Sequence, residues 1–245
     1  MTLTAEHPRM SEQKKGRGAA SPAVHIAWFV AGAALGFLIP FIFTSLLSLH
    51  HDLYYLIYFT ITLAFLGIYI RATHVDLAEF FRRSWHWSLA LGALAAAAVV
   101  FNVFSRGPTP VPAGPYLIFE AFWRGATYGV VDALLLSGFP GLVALGMLKG
   151  NLAGILRKAA FVMASLVMVL IITGAYHLGY EQFREVGVGQ PEIGNVIISV
   201  PMLATANPAG SIVAHGSMHV AATVYSYETD VFLPPQTEAP RGALN

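Results

Sequence analysis

Residues 158–177 read KAAFVMASLVMVLIITGAYH, a stretch in which no charged residue stands between Lys158 and His177. A helix needs roughly 20 mostly apolar residues to cross the hydrocarbon core of a bilayer, and about 17 to 25 are tolerated. Further stretches of this kind are 26–48, 54–71, 87–104, 126–148 and 207–225. Because backbone groups in lipid need internal partners, and no run alternates with a period of two, the sequence predicts an all-α transmembrane bundle of six to eight spans.

The composition of the whole chain also indicates a membrane protein. Of its 245 residues, 56% are hydrophobic and 11% are charged, whereas about a quarter of the residues of a soluble domain are charged. The net charge of +1 gives no basis for binding nucleic acid. The chain has no cysteine, so any bound metal must be held by His, Asp and Glu.

Polar ends and basic residues predict the domain boundaries and the orientation. Residues 1–24 form a polar tail predicted to be disordered, 25–226 the transmembrane domain, and 227–245 a second polar tail. Ten of the fourteen Lys and Arg residues lie before the first span or in the loops after the second and fourth: Arg9, Lys14, Lys15, Arg17, Arg71, Arg82, Arg83, Lys149, Arg157 and Lys158. The positive-inside rule places these segments in the cytoplasm. We expect an integral protein of a prokaryotic cell membrane with a cytoplasmic N-terminus.

Some segments depart from a simple series of spans. Residues 193–204 are apolar but too short to cross the bilayer unless they extend or re-enter, which leaves the side of the C-terminus open. Residues 115–125 predict a further helical piece that leads into the fourth span. Pro40, Pro140 and Pro201 predict kinks or breaks, which a membrane bundle tolerates when neighbours satisfy the freed carbonyls.

Three histidines in apolar sequence mark the candidate functional site. His215 and His219 are four residues apart, so both imidazoles project from one face of a helix. His177 ends the fifth span. Ionisable groups inside a bilayer are costly and usually face the interior of the bundle, where they tend to mark function.

Two carboxylates and an arginine are candidates for the same site. Asp132 lies inside the otherwise apolar fourth span, while Glu120 and Arg124 are spaced to pair across one helical turn. All three are expensive in lipid without partners. We therefore expect the face that carries His215 and His219 to converge with His177 and with at least one of the two carboxylates in one polar cavity.

These residue types suit two chemistries. In the first, a carboxylate takes a proton from water while imidazoles orient the water and stabilise an oxyanion. In the second, Asp132 and the three histidines His177, His215 and His219 bind a divalent metal, zinc or iron. Further histidines could add a second locus, although surface residues are the simpler interpretation: His50, His51 and His74.

The polar segments resemble the CPBP intramembrane proteases, the family of CAAX-processing and bacteriocin-self-immunity proteins. The pattern of that family is EExxxR, then FxxxH, then HxxxN or HxxxD on successive helices. Residues 120–125, EAFWRG, are similar to its second glutamate, its arginine and the glycine that follows. His177 falls where the second motif has its histidine, and residues 210–215, GSIVAH, are similar to the lead-in of the third. The resemblance covers about residues 115–223.

The chain departs from the family pattern at three positions. Phe119 replaces the first glutamate, which activates the attacking water in the family, Thr173 replaces the phenylalanine of the second motif, and His219 replaces asparagine. Without the first glutamate, the base would be Glu120 or Asp132, or proteolysis has been lost.

The resemblance implies an intramembrane hydrolase, a peptidase that acts on membrane-embedded or lipidated peptides. Arg124 would hold the catalytic carboxylate ionised, His177 and His215 would position the water, and His219 would stabilise the oxyanion. Two other classes stay open: a metal- or haem-binding redox protein that uses the three histidines, and a non-catalytic subunit of a larger membrane complex.

Overall fold

The computed structural model describes residues 20–228 and 233–234. These residues form nine helices and no strand, which confirms the predicted all-α class. The rest of the two predicted tails lies outside the described residues. In chain order the helices are α1 (Pro22–Leu46), α2 (His51–Thr73), α3 (Leu77–Arg82), α4 (Trp85–Ser105), α5 (Pro115–Met147), α6 (Ile155–Leu178), α7 (Glu181–Val186), α8 (Gly189–Thr205) and α9 (Ala209–Tyr225).

Five helices are long and apolar enough to cross a membrane, namely α1, α2, α4, α5 and α6. The helices α8 and α9 have 17 residues each. At 1.5 Å per residue such a helix is about 25 Å long, close to the ~30 Å of a hydrocarbon core. The short apolar run at 193–204 thus extends to Gly189, and the predicted piece at 115–125 is continuous with the fourth span. The chain is an integral membrane protein with five long helices and two at the lower limit of length.

Helix α5 lies at the centre of the bundle. Of the residues in its apolar stretch 78% are buried, against 28–39% in the other four long helices. Helix α9 packs against both α4 and α5, and α8 packs against α4 and α6. A polar side chain on α5 therefore meets other helices instead of lipid.

Pro140 shapes the middle of α5. A proline has no N–H, so it cannot donate to the carbonyl of Leu136, four residues earlier. The helix widens into a π-helical turn over Leu134–Gly138, directly before this proline. The carbonyl of Leu136 accepts a hydrogen bond from Asn195 Nδ2 of α8 at 3.4 Å. The predicted irregularity at Pro140 is therefore present, and the carbonyl that it frees connects α5 to α8. Pro201, in contrast, lies inside a continuous α8.

Helices α4 and α9 approach each other closely at Gly210. Its amide donates to Ser88 Oγ at 2.9 Å, and Ser88 Oγ donates to the carbonyl of Asn207, also at 2.9 Å. A Cβ atom at Gly210 would lie 2.7 Å from the carbonyl carbon of Ser88 and from Pro201 Cβ. Only glycine allows this contact, which fixes the position of α9 in the bundle.

Replacing Gly210 by alanine is expected to lower the thermal midpoint of the detergent-purified protein, because the added methyl group collides with the backbone of α4. Overpacking of this kind costs about 1–3 kcal/mol. Gly216→Ala is the matched control on the same helix, since a Cβ atom there would have no neighbour within 4 Å in the residues that the structure describes. Its midpoint should stay or rise. Equal midpoints for Gly210→Ala and the unmodified protein would contradict the close contact.

Candidate functional site

Asp132 of α5 and the histidine pair of α9 form one buried cluster. Asp132 Oδ2 lies 3.2 Å from His215 Nε2 and 3.9 Å from His219 Nε2. The two imidazole rings are stacked with their centroids 4.9 Å apart. All three residues are at most 4% exposed. One potential ligand atom from each lies within 4.8 Å of the other two, so the face predicted from the i, i+4 spacing is turned toward a carboxylate.

Asn207 fixes the start of the helix that carries the histidine pair. Its Oδ1 accepts from the amide of Ala209, the first residue of α9, at 2.8 Å. Its Nδ2 donates to the carbonyls of Phe81 and Arg83 at 2.6 and 2.8 Å. The same side chain therefore attaches the start of α9 to the end of α3 and to the residue that follows it, which helps to set the direction of the histidine face.

A tyrosine holds the other oxygen of Asp132. The hydroxyl of Tyr58 on α2 donates to Asp132 Oδ1 at 2.7 Å. The ring of Tyr128 lies edge-on to the ring of His219, with centroids 4.8 Å apart. These contacts orient the carboxylate, so that Oδ2 is the oxygen that meets both imidazoles.

Several imidazole nitrogens in the cluster have no hydrogen-bond partner. Among the described residues, His215 Nδ1 and both ring nitrogens of His219 are buried and unpaired. Leaving a buried polar group unpaired costs about 1–3 kcal/mol. His219 Nε2 is too far from Asp132 Oδ2 for a hydrogen bond. The cluster therefore has unpaired imidazole nitrogens, one of which, His219 Nε2, lies beside the buried carboxylate.

His177 enters the same region from α6 in a defined tautomer. Its Nδ1 lies 2.8 Å from the carbonyl oxygen of Thr173. Because a carbonyl only accepts, Nδ1 of the neutral ring carries the proton and Nε2 keeps its lone pair. Thr173 Oγ1 in turn accepts from Asn195 Nδ2 at 2.6 Å. The contact with the Thr173 carbonyl thus leaves the lone pair of His177 Nε2 available as a proton acceptor.

Asp132, His177, His215 and His219 line one cavity of about 500 Å³. It is enclosed by residues of α4, α5, α6, α8 and α9 and reaches the exposed residues Arg106 and Gln190. It therefore opens at the end of the bundle where α4 ends and α8 begins. The three histidines therefore meet a carboxylate in one cavity, as the sequence predicts, and that carboxylate is Asp132.

Buried tyrosine hydroxyls form a connected group beside this cavity. Tyr176 OH contacts the hydroxyls of Tyr128 and Tyr180, the latter at 2.6 Å, and Tyr54 OH lies 2.6 Å from Tyr180 OH. Burial raises the pKa of Tyr180 well above its usual value, so it remains a neutral phenol. Neutral hydroxyl groups in a buried site can donate to a developing negative charge.

Glu120 and Arg124 lie in a different cluster. Glu120 is fully buried, accepts a hydrogen bond from Tyr227 OH at 2.9 Å, and has Oε2 3.7 Å from His51 Nε2. The guanidinium of Arg124 packs over the ring of Tyr227 at 4.3 Å from its centroid. Neither residue lines the cavity. At 1.5 Å per residue they precede Asp132 on α5 by about 18 and 12 Å, so the structure does not bring them to His177, His215 and His219.

Sequence reasoning missed three residues that complete the site: Tyr58, Asn195 and Tyr176. Each is a polar residue inside an apolar stretch, which is a signal of the kind that singled out Asp132. Tyr176 also directly precedes His177. What the sequence could not give is the partner of each hydroxyl or amide, since those partners come from other helices.

A helical bundle can host many unrelated functions, so the function has to be argued from the geometry of the site. The site brings a buried carboxylate, two stacked imidazoles and a third imidazole to one cavity. No protein-family model, curated protein or solved structure matches this chain.

Proposed function

We propose that the protein is a metal-dependent hydrolase of the membrane, with a divalent ion bound by Asp132, His215 and His219. The observation that carries this proposal is the buried triad, whose ligand atoms lie within 4.8 Å of one another. Catalytic zinc sites commonly use three protein ligands, among them two histidines and a carboxylate, and keep the fourth position for water or substrate. The cavity beside the triad provides room for both.

The distances in the triad fit a shared ion. Ligands bound at 2.0–2.2 Å to a tetrahedral ion lie roughly 3.4 Å apart. Asp132 Oδ2 is 3.2 and 3.9 Å from the two Nε2 atoms. Metal-binding side chains usually have outer hydrogen bonds that orient them, and the hydroxyl of Tyr58 provides one for Asp132.

The surrounding residues have distinct roles in this proposal. A divalent ion polarises a carbonyl group and makes a water molecule more acidic. His177 accepts the proton of the attacking water on Nε2, because its Nδ1 is committed to the carbonyl of Thr173, and returns that proton to the leaving group when the scissile bond breaks. The neutral hydroxyls of Tyr176 and Tyr128, which line the cavity, donate to the oxyanion of the substrate.

Asn195 supports an amide as the substrate. Its Nδ2 donates to Thr173 Oγ1 and to the carbonyl of Leu136, and that carbonyl can only accept. The amide orientation is therefore fixed, and Asn195 Oδ1, on a residue that lines the cavity, is buried and has no partner within the described part of the chain. An unpaired acceptor matches the N–H group that an amide has and an ester lacks. Membrane-embedded or lipidated peptides fit this requirement.

The resemblance to CPBP proteases supports a second candidate, a metal-free hydrolase in which Glu120 activates water and Arg124 keeps it ionised. One observation favours it, since Glu120 is fully buried and its Oε1 has no hydrogen-bond partner among the described residues. The metal-dependent mechanism is favoured because His177, His215 and His219 line the cavity with Asp132, and Glu120 lies about 18 Å from Asp132 along α5.

Metal removal separates these candidates. The detergent-purified protein, reconstituted into liposomes with a quenched fluorescent membrane peptide, should cleave the peptide, lose the activity on treatment with a chelator and regain it with Zn²⁺. Full activity of the metal-free protein would overturn the proposal and favour Glu120 as the base. A stoichiometric iron content with redox-dependent absorption, and no cleavage, would assign the same triad to redox chemistry instead.

Tyr58→Phe tests the outer hydrogen bond of the proposed metal site. Loss of the donor to Asp132 Oδ1 should weaken metal binding about 10- to 100-fold in a competition titration with a chelating dye, with an unchanged helical content. Tyr69→Phe is the matched control, since Tyr69 is also fully buried on α2 but its hydroxyl lies 3.0 Å from His25 Nδ1. Equal affinities for the two variants would count against an ion held by Asp132.

A further inference from the structure

A second set of potential metal ligands lies where α2 begins beside the first turns of α5. His51 Nε2 is 3.5 Å from Asp52 Oδ1 and 3.7 Å from Glu120 Oε2. The neighbouring His50 has Nδ1 3.6 Å from Asp52 Oδ2. His50, His51 and Asp52 can each direct one ligand atom to within 4.8 Å of the others. An imidazole nitrogen of α2 thus stands between carboxylates from two helices.

Three atoms of these side chains are buried and have no hydrogen bonds among the described residues, namely His51 Nε2, Asp52 Oδ1 and Glu120 Oε1. The other oxygen of Glu120, Oε2, is the one that lies 3.7 Å from His51 and accepts from Tyr227. The whole side chain of Glu120 is buried, so its unpaired oxygen has no access to solvent. Hydrogen bonds of N–H to oxygen span about 2.7–3.2 Å, which is shorter than the separations found here. Ligands that share an ion at 2.0–2.2 Å are about 3.0–3.6 Å apart, which is close to these separations.

The charges near this set sum to a net negative charge, which favours binding of a cation. Asp52 and Glu120 contribute two negative charges, and Arg124 on α5 contributes one positive charge. The guanidinium of Arg124 is stacked on the ring of Tyr227, whose hydroxyl donates to Glu120 Oε2. A divalent ion bound by the carboxylate of Glu120 would compensate the remaining negative charge, which a buried carboxylate requires.

We infer that His51, Asp52 and Glu120 bind a second divalent cation, with His50 as a further ligand on the exposed side. Mixed imidazole and carboxylate ligands suit Zn²⁺ or Mn²⁺ better than Ca²⁺, which prefers oxygen ligands alone. The site connects the start of α2 with α5 and, through Tyr227, with the chain after α9. It is distinct from the Asp132 triad, and it assigns to Glu120 the role of a ligand instead of a base.

Metal counting on single variants of the full chain tests this site independently of the proposed function. The protein purified in detergent, loaded with Zn²⁺ and passed through a desalting column should contain two equivalents by elemental analysis. Glu120→Gln and His51→Asn should each contain one, and so should Asp132→Asn, while the double variant Glu120→Gln/Asp132→Asn should contain none. Glu79→Gln is the matched control, because Glu79 is a partly exposed carboxylate at the surface helix α3.

The outcomes separate the two sites. If Glu120→Gln keeps the metal content of the unmodified protein, the second site is overturned, whatever Asp132→Asn shows. If Asp132→Asn keeps that content, the Asp132 triad does not bind metal. The second site is then tested by the metal content of Glu120→Gln alone. A thermal-shift titration guards against misfolding. Zn²⁺ should raise the midpoint of Asp132→Asn and leave that of the double variant unchanged, and equal shifts in both would contradict a cation at Glu120.

Discussion

Asp132→Asn, His215→Ala and His219→Ala are each expected to remove one equivalent of metal and to reduce peptide cleavage to the background rate. The three side chains supply all the ligands of the proposed catalytic ion, and a single loss leaves two buried groups without the third. Asp132→Asn is the most informative variant, because asparagine has nearly the same shape and can still accept from Tyr58. Its loss of metal would therefore reflect the missing charge and not a cavity.

His86→Ala is the control for the histidine variants. His86 is an exposed residue at the start of α4, stacked on Trp85 with ring centroids 3.6 Å apart, and it lies away from the cavity. It should retain both the metal and the activity. A triad variant that is folded, inactive and still fully loaded at its own site would show that Asp132 and the histidines act without an ion, as in the metal-free mechanism.

The fold class was predictable because few backbone structures satisfy their own hydrogen bonds within lipid. Long apolar runs whose backbone groups need internal partners become helices, and five such helices are found. The extension of 193–204 back to Gly189 was not predictable from hydropathy. The added residues Gln190 and Pro191 line the cavity at its opening, where Gln190 is exposed and Pro191 is partly buried. A polar first turn is therefore compatible with this helix.

The histidine pair was predictable from spacing, but the choice between Glu120 and Asp132 was not. A period of 3.6 residues places side chains reliably only while the helix stays regular. Between and after these two residues α5 contains π-helical turns, at Ala121–Thr127 and Leu134–Gly138. Such turns rotate everything that follows. The second turn is adjacent to Pro140, which has a visible sequence signal, whereas the first has none.

Contacts between helices that are distant along the chain could also not be predicted from the sequence. Tyr58 and Asp132 are separated by 74 positions, and their hydrogen bond depends on how α2 packs against α5. Three tyrosines of α2, Tyr54, Tyr55 and Tyr58, are at most 2% exposed. In the sequence they look like the aromatic residues that commonly anchor a span at the membrane interface. Their burial follows from the central position of α5.

His177→Gln is expected to lower kcat about 10²- to 10⁴-fold, the usual contribution of a general base, while KM and the metal content stay nearly unchanged. Glutamine can still donate to the carbonyl of Thr173, the contact that His177 makes at 2.8 Å, so the end of α6 should remain folded. It lacks the basic nitrogen that accepts the proton from water.

Chemical rescue distinguishes a base from a structural side chain or a fourth ligand. Added imidazole should restore part of the kcat of His177→Gly, because a small base can occupy the space of the missing ring beside the cavity. His215→Gly should not be rescued in this way, since its loss also removes the ion. If His177→Gln loses metal together with activity, His177 is a ligand and the base lies elsewhere. If imidazole leaves kcat unchanged, the role of His177 is to pack α6 against Phe183, whose ring lies 4.9 Å away.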